Sequence, residues 1–248
     1  MGPSQFYTGL VAELYGPLRS AVPDPEPYAR FIDRCGEPAL ELGCGSGDPI
    51  VALRQRGLDV DGVDSSADML AICRARAQAQ GLTVDLYEQA MERLDLPRRY
   101  RAIYLAGPTF NLLADDETAL TALERIGSHL ATGGAALVPL FIPEPTPEEQ
   151  FGVTREHVTD DGRLQRVSAV SETRDEAQRL QTTVLRYEST KDGVTDVLER
   201  PWQLHWHTQE GFAALAGAAG LAVSAIRSPT GGDAAADASS FVFRLTSG

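Results

Sequence analysis

An α/β fold is predicted for this chain of 248 residues: a seven-stranded, mostly parallel sheet with helices on both faces, and a small antiparallel β-insert after the fifth strand. Three observations predict it. Between residues 38 and 142, apolar runs of strand length alternate with helix-length amphipathic stretches, the pattern of βαβ units. The run Ala39-Leu40-Glu41-Leu42-Gly43-Cys44-Gly45-Ser46-Gly47-Asp48 sets glycines at alternate positions where a strand turns into a helix. Beyond the proline-rich segment Ile142-Pro143-Glu144-Pro145-Thr146-Pro147 the apolar period becomes two, and it returns to helical only at Thr208.

The elements follow in order. Phe6, Tyr7, Leu10, Leu14 and Tyr15 form an apolar stripe at helical spacing, broken by Pro17 and by Pro23, Pro25 and Pro27. A short helix over about 27–34 leads into a strand at 38–42. Asp48 as cap and Pro49 in the first turn open a helix to Arg56, which Gly57 ends. A strand at 58–63, a helix at 66–79, a strand at 83–87 and an apolar strand at 101–106 come next. An amphipathic helix over 115–130 is closed by Gly133-Gly134, and 135–142 is another apolar strand. Alternation over 163–173, 178–189 and 194–206 predicts three antiparallel strands, the last two joined by a turn at Lys191-Asp192-Gly193. A helix over 208–219 and strands at 221–226 and 241–245 close the chain. Residues 1–149 with 205–248 are thus expected to form the core, 1–30 as lid helices and 150–204 as the insert, a lid or dimer face.

Composition narrows the function. A net charge of −13 argues against nucleic acid as the main partner, because such binders display a basic face. Cys35, Cys44 and Cys73 are odd in number and lack metal-ligand spacing, so reduced thiols and no bound metal are expected. No apolar run nears 18 residues and no signal-peptide pattern is seen, which leads to the expectation of a soluble, cytoplasmic protein without a membrane partner.

The glycine run carries the chemistry. A dinucleotide loop would place its third glycine at position 48, with a pyrophosphate on the helix N-terminus. Asp48 stands there and would repel phosphate. The loop therefore suits a ligand without phosphates. Asp64, at the end of Val60-Asp61-Gly62-Val63-Asp64, is placed to accept the two hydroxyls of a ribose, or else to cap the helix at 66–79.

These residues closely resemble the class I S-adenosylmethionine (SAM)-dependent methyltransferases of small-molecule type, whose fold is Rossmann-like. The family's first motif, an acid followed by x-G-x-G-x-G, is matched by Glu41 to Gly47. Its second, G-V-D-x-S-x-x-M-L, is matched by Gly62 to Leu70. The resemblance covers 36–142 and 207–246, says little of the N-terminus and insert, and makes the closing strands an antiparallel hairpin. It implies SAM as cofactor, S-adenosyl-L-homocysteine as product, and backbone contacts at Gly43, Cys44, Gly45 and Ala106. Glu41 would act through loop positioning or a water near the cofactor's amino group, or cap the loop backbone. Ser65 and Met69 would flank Asp64, with Met69 under the adenine or in the core. The family's usual acid after the third strand is replaced by Ala90, which leaves an adenine contact to Gln89 or to the backbone of Ala90 and Met91.

The acceptor side is read from three places. Gly107, Pro108, Phe110 and Asn111, in the turn after the fourth strand, would contribute to the acceptor pocket, with Phe110 as a wall and Asn111 as a pocket residue or a turn contact. Tyr7 and Tyr15 resemble the lid-helix tyrosines of small-molecule methyltransferases, with Tyr15 the stronger catalytic candidate. His205 or His207, at the end of the insert, is a candidate base, while His129 and His157 read as an exposed helix position and a polar loop. The expected reaction is methyl transfer to an N or O atom of a small molecule such as a natural-product intermediate. The alternatives are a SAM-binding regulatory protein without transfer, or methylation of a protein or RNA partner. A homodimer through the insert is a further expectation.

Overall fold

The computed structural model describes residues 6–18 and 22–248. The parts of the expected lid region at 1–5 and 19–21 lie outside these residues. Helices α1 (Leu10–Leu18) and α2 (Glu26–Cys35) precede β1 (Ala39–Leu42). Then come α3 (Ile50–Gln55), β2 (Val60–Asp64), α4 (Ala67–Gln78), β3 (Leu86–Glu88) and β4 (Tyr100–Tyr104). Helix α5 (Asp116–His129) and β5 (Leu130–Phe141) end this part. Strands β6 (Thr154–Val158), β7 (Leu164–Asp175), β8 (Leu180–Lys191) and β9 (Val194–His205) follow. The chain closes with α6 (Gln209–Ala218), β10 (Leu221–Arg227) and β11 (Ser240–Ser247).

The main sheet has seven strands in the order β10-β11-β5-β4-β1-β2-β3. Its central pairs are parallel, and β11 runs antiparallel to both β5 and β10. Alternation along β1 divides the core. Leu40 and Leu42 pack with Leu123, Ile126, Phe212 and Phe243 on the α5–α6 side. Ala39 packs with Ile32, Ile50, Leu53 and Leu70 on the α2–α4 side. With both faces covered, the free edge is the row of strand C-termini, where ligands of such sheets sit.

Several local expectations are corrected. Helix α1 continues through Pro17 to Leu18; a proline near a helix end removes few internal bonds. Asp48 does not cap α3; both its oxygens take the Arg76 guanidinium instead. The pair Gly133-Gly134 lies inside β5, at its irregular entry, where a Cβ on Gly134 would sit 2.9 Å from Arg101 O. His129 is buried, and its Nε2 accepts from Leu96 N at 3.0 Å. His157 stands on β6.

The second sheet has four antiparallel strands, β6-β7-β8-β9, instead of three. Thr154–Val158 is exposed along its whole length, so no apolar alternation announces it. Phe6, Leu14 and Leu18 pack against Val167 and Tyr187 of this sheet, which ties the N-terminal segment to it. Among the described residues no helix is long and apolar enough to cross a membrane.

Candidate active site

The glycine loop leaves β1 with φ angles of 69° at Gly43, 50° at Gly45 and 98° at Gly47. A Cβ on Gly43 would lie 2.7 Å from Thr109 Cγ2, so glycine is required there on both counts. Asp64 clamps this loop. Its Oδ2 accepts from Gly45 N and its Oδ1 from Ser66 N, both at 2.8 Å. Burial pushes its carboxyl pKa up, and these N–H donors pull it back. The cap of α4 is Ser66, not Asp64, with Met69 N donating to Ser66 Oγ at 3.2 Å. Met69 is buried beneath the loop, its Cε 3.3 Å from where a Gly45 Cβ would be. Ser65 is half-buried between Asp64 and the cap.

Glu41 is fully buried, and burial drives its pKa well up against the Tyr104 hydrogen bond, donated to Oε2 at 2.8 Å. Its Oε1 has no partner, so Glu41 does not cap the loop backbone. A buried carboxylate with one free oxygen is stabilised by a nearby positive charge or a water. Gln89 is occupied elsewhere: its side chain exchanges hydrogen bonds of 3.1 and 2.8 Å with the Asp95 backbone. The expected Gln89 contact to an adenine therefore does not hold in this arrangement. Met91 is buried, and Ala90 opens the short 3-10 turn Met91–Arg93.

A cleft of about 60 Å³ runs along the loop, lined by Gly43, Cys44, Gly45 and Ala106 on one side and by Tyr15 and Pro23 of the N-terminal segment on the other. Beside it lies a cavity of about 450 Å³ between α1, residues 107–112 and the second sheet. Tyr15, Gly107 and Thr109 line both spaces. Phe6, Tyr7, Tyr187 and Trp202 give the cavity an aromatic wall, and among the described residues Arg155 is the one charged side chain lining it. Tyr7 packs edge-on to Tyr15, with ring centroids 5.5 Å apart. Burial pushes the Tyr7 hydroxyl far above the usual range and the Tyr187 hydroxyl up to about 12. The Trp202 indole N–H is near enough to pull the Tyr7 pKa down slightly, yet it has no partner in hydrogen-bond geometry. A third space of about 620 Å³, between Tyr28 and β5, shares Gly107, Pro108 and Phe141 with the cavity.

Four of the expected site residues lie elsewhere. Phe110 is fully buried against His207 and Phe212 and lines no part of the cavity. Asn111 is a structural tie, donating from Nδ2 to Phe141 O at 2.9 Å and His205 O at 3.0 Å and accepting from Phe141 N at 3.3 Å. The reason is the 3-10 helix Thr109–Leu112, in which residues three apart share a face. Thr109 and Leu112 therefore face the cavity, and sequence reading missed both. The recognisable signal was the short apolar turn after a strand, too brief for an α-helix. Replacing Asn111 with leucine is expected to cost about 2–5 kcal/mol, since it strands buried carbonyls. Urea denaturation at neutral pH measures this.

His205 and His207 sit behind that turn, outside the cavity. His205 Nε2 and His207 Nδ1 each lie 3.6 Å from Asp116 Oδ1, and Arg179 pairs with the same carboxylate. The three ligand atoms lie within 4.8 Å of one another, but Arg179 already supplies the positive charge there. Burial, reinforced by His205, lowers the His207 pKa to about 4, against the pull of Asp116. The unfolded chain therefore binds a proton between pH 6.5 and 4 that the folded chain refuses. Stability is complete above that window and falls by on the order of 3 kcal/mol as pH drops through it. His207→Phe is expected to flatten this part of the stability profile, measured by urea denaturation at each pH.

Comparison with known proteins finds methyltransferases. Residues 39–134 match the family model described as a methyltransferase domain. The demethylmenaquinone methyltransferase of Thermus thermophilus is 37% identical over 125 residues, 49% of this chain and 54% of that protein. A Streptomyces fradiae enzyme, dTDP-3-amino-3,6-dideoxy-alpha-D-glucopyranose N,N-dimethyltransferase, is 30% identical over 152 residues, 58% of each chain. The chain thus spans little more than half the length of these curated relatives. Among solved structures, the CcbJ methyltransferase of Streptomyces caelestis superposes with a TM-score of 0.77 at 20% identity, covering 98% of both chains. The fold is that of solved SAM-dependent methyltransferases.

Proposed function

We propose that the protein is a SAM-dependent methyltransferase acting on an amine nitrogen of a small, largely apolar acceptor. The observation that carries this reading is the shared wall: Tyr15, Gly107 and Thr109 border both the glycine-loop cleft and the aromatic cavity. A donor methyl and an acceptor atom approaching from those two spaces meet at that wall. The names of the relatives above support methyl transfer, and one of them acts on an amino sugar.

The residues of the cleft fit SAM. The positive φ angles at Gly43 and Gly45 expose backbone to a ligand, and Glu41 keeps one oxygen without a partner for a positive group or its bridging water. Asp64 uses two of its roughly four acceptor positions on the backbone and keeps the others for ribose hydroxyls. When bound, SAM supplies a methyl group already activated by a sulfonium charge. The chain's part is positioning, with the acceptor atom held about 3–3.5 Å from that methyl. Tyr7 and Tyr15 orient the acceptor from α1 and the segment before it, while 150–204 walls the cavity.

Tyr15 and Pro23 border this narrow cleft, so in this reading segment 6–18 moves aside for the cofactor to enter. It is held by Ser66 Oγ donating to Tyr7 O, Gly9 N donating to Asp68, and Arg200 donating to Phe6 O. These few polar ties suit a lid that reopens.

No carboxylate or imidazole is among the described residues lining the cavity, and Tyr7 and Tyr187 stay protonated at neutral pH. An alcohol would lack a base there, whereas an amine attacks as the free base and sheds its proton to solvent afterwards. The rate is expected to rise tenfold per pH unit below the acceptor amine's pKa and to level off above it. Its midpoint should move with the acceptor. A fixed midpoint near 6 for every acceptor would point to an enzyme base and contradict this. The reaction itself is tested by mass spectrometry of an amine panel incubated with deuteromethyl-labelled SAM. Labelled N-methyl product is expected; label only on hydroxyl oxygens would overturn the assignment.

A further inference from the structure

The second sheet pairs nearly all its cations. Arg166 binds Glu156, Arg174 binds Glu176, Arg179 binds Asp116, Arg186 binds Glu188 and Glu199, and Lys191 binds Asp161. Arg163 donates to Ser189, and Arg200 to Phe6 O and Thr8. Arg155 alone has neither an ion pair nor a hydrogen-bond acceptor among the described residues. Among the described residues it is also the one charged side chain lining the aromatic cavity, close enough to Tyr187 to act on its ionisation. In a chain of net charge −13, an unpaired guanidinium beside an apolar cavity is conspicuous. A guanidinium left without an acceptor at a ligand space is complementary to a planar oxyanion, which it can grip through two parallel N–H bonds.

We infer that Arg155 is a specificity residue that selects acceptors carrying an oxyanion, a carboxylate or a phosphate, on the apolar body that bears the amine. This rests on the cavity being the acceptor site. The Tyr15 end of the cavity meets the cofactor cleft, and Arg155 does not line that cleft, so the anion sits away from the reacting nitrogen. The acceptor is therefore an amphipathic amino compound with its amine and its anion on different parts of the molecule.

The test uses two fluorescent probes of nearly the same aromatic body, anionic 8-anilinonaphthalene-1-sulfonate and neutral N-phenyl-1-naphthylamine. The whole protein is expected to bind the anionic probe about tenfold tighter. Arg155→Ala should erase that preference and leave the neutral probe's affinity unchanged, and Arg155→Lys should restore part of it. Displacement of the anionic probe by 4-aminobenzoate and by 4-aminophenyl phosphate then names the oxyanion, the tighter competitor being the favoured one. Equal affinity for both probes in the wild type, or a preference that survives Arg155→Ala, overturns the inference. Calorimetric binding of S-adenosyl-L-homocysteine is measured on the same samples. Its absence would count against the methyltransferase reading, whereas the probe ratio judges Arg155 alone.

Discussion

Asp64→Ala is expected to lower SAM affinity about 100-fold, measured by titration calorimetry, in a protein that keeps its native circular dichroism. The carboxylate takes charge-assisted hydrogen bonds from Gly45 N and Ser66 N, and so joins the glycine loop to the end of β2. Each such bond is worth about 1.5–3 kcal/mol, and a tenfold change in affinity is about 1.4 kcal/mol. Loss of both frees Gly45 from its φ of 50° and loosens the cradle before any ribose contact is counted. The melting temperature should fall as well, by about 2–4 °C for each kcal/mol lost. Asp64→Asn should recover little affinity, since its amide group would oppose one of the two N–H donors. Unchanged affinity in the alanine variant would mean that Asp64 neither holds the loop nor meets the cofactor.

Gly107→Leu is expected to give the opposite pattern: a stable fold and at least a 100-fold loss in kcat/KM. Nothing lies within 4 Å of a Cβ built at Gly107, and its φ is not in the left-handed region. Packing therefore does not demand glycine there. Yet the residue borders the loop cleft, the aromatic cavity and the space beside Tyr28. An isobutyl group would project into room that the acceptor needs. Thermal melting should shift by no more than a degree or two while turnover collapses. A large drop in melting temperature would make Gly107 a packing residue, and normal turnover would move the acceptor elsewhere.

The two variants separate holding a loop from leaving a space, and the same distinction explains what was legible in the sequence. The fold was legible because parallel strands buried on both faces read as apolar runs, as in Ala39–Leu42 and Tyr100–Tyr104. The loop was legible because its glycines answer a backbone requirement that no other residue meets. Asp64 was found by position, but its clamp on Gly45 depends on a contact across 19 residues that only the folded chain displays. Side-chain direction was the weak point. Phe110 and Asn111 were read as facing the cavity because they are the larger and more polar residues of the turn. The 3-10 geometry instead turns Thr109 and Leu112 there. His205 and His207 were drawn to the site by their chemistry, and they lie behind it because Asn111 anchors the His205 carbonyl and Asp116 gathers both rings. Arg155 gave no signal at all, since an exposed arginine on an exposed strand looks like any solvated cation until its neighbours are found to be paired among themselves.

The central claim is that cofactor and acceptor meet at the wall formed by Tyr15, Gly107 and Thr109. A crystal structure with S-adenosyl-L-homocysteine tests it most directly. The account predicts the homocysteine sulfur at that wall, facing the cavity, with the ribose at Asp64. A bound cofactor whose sulfur faces away from Tyr15, Gly107 and Thr109 would contradict it.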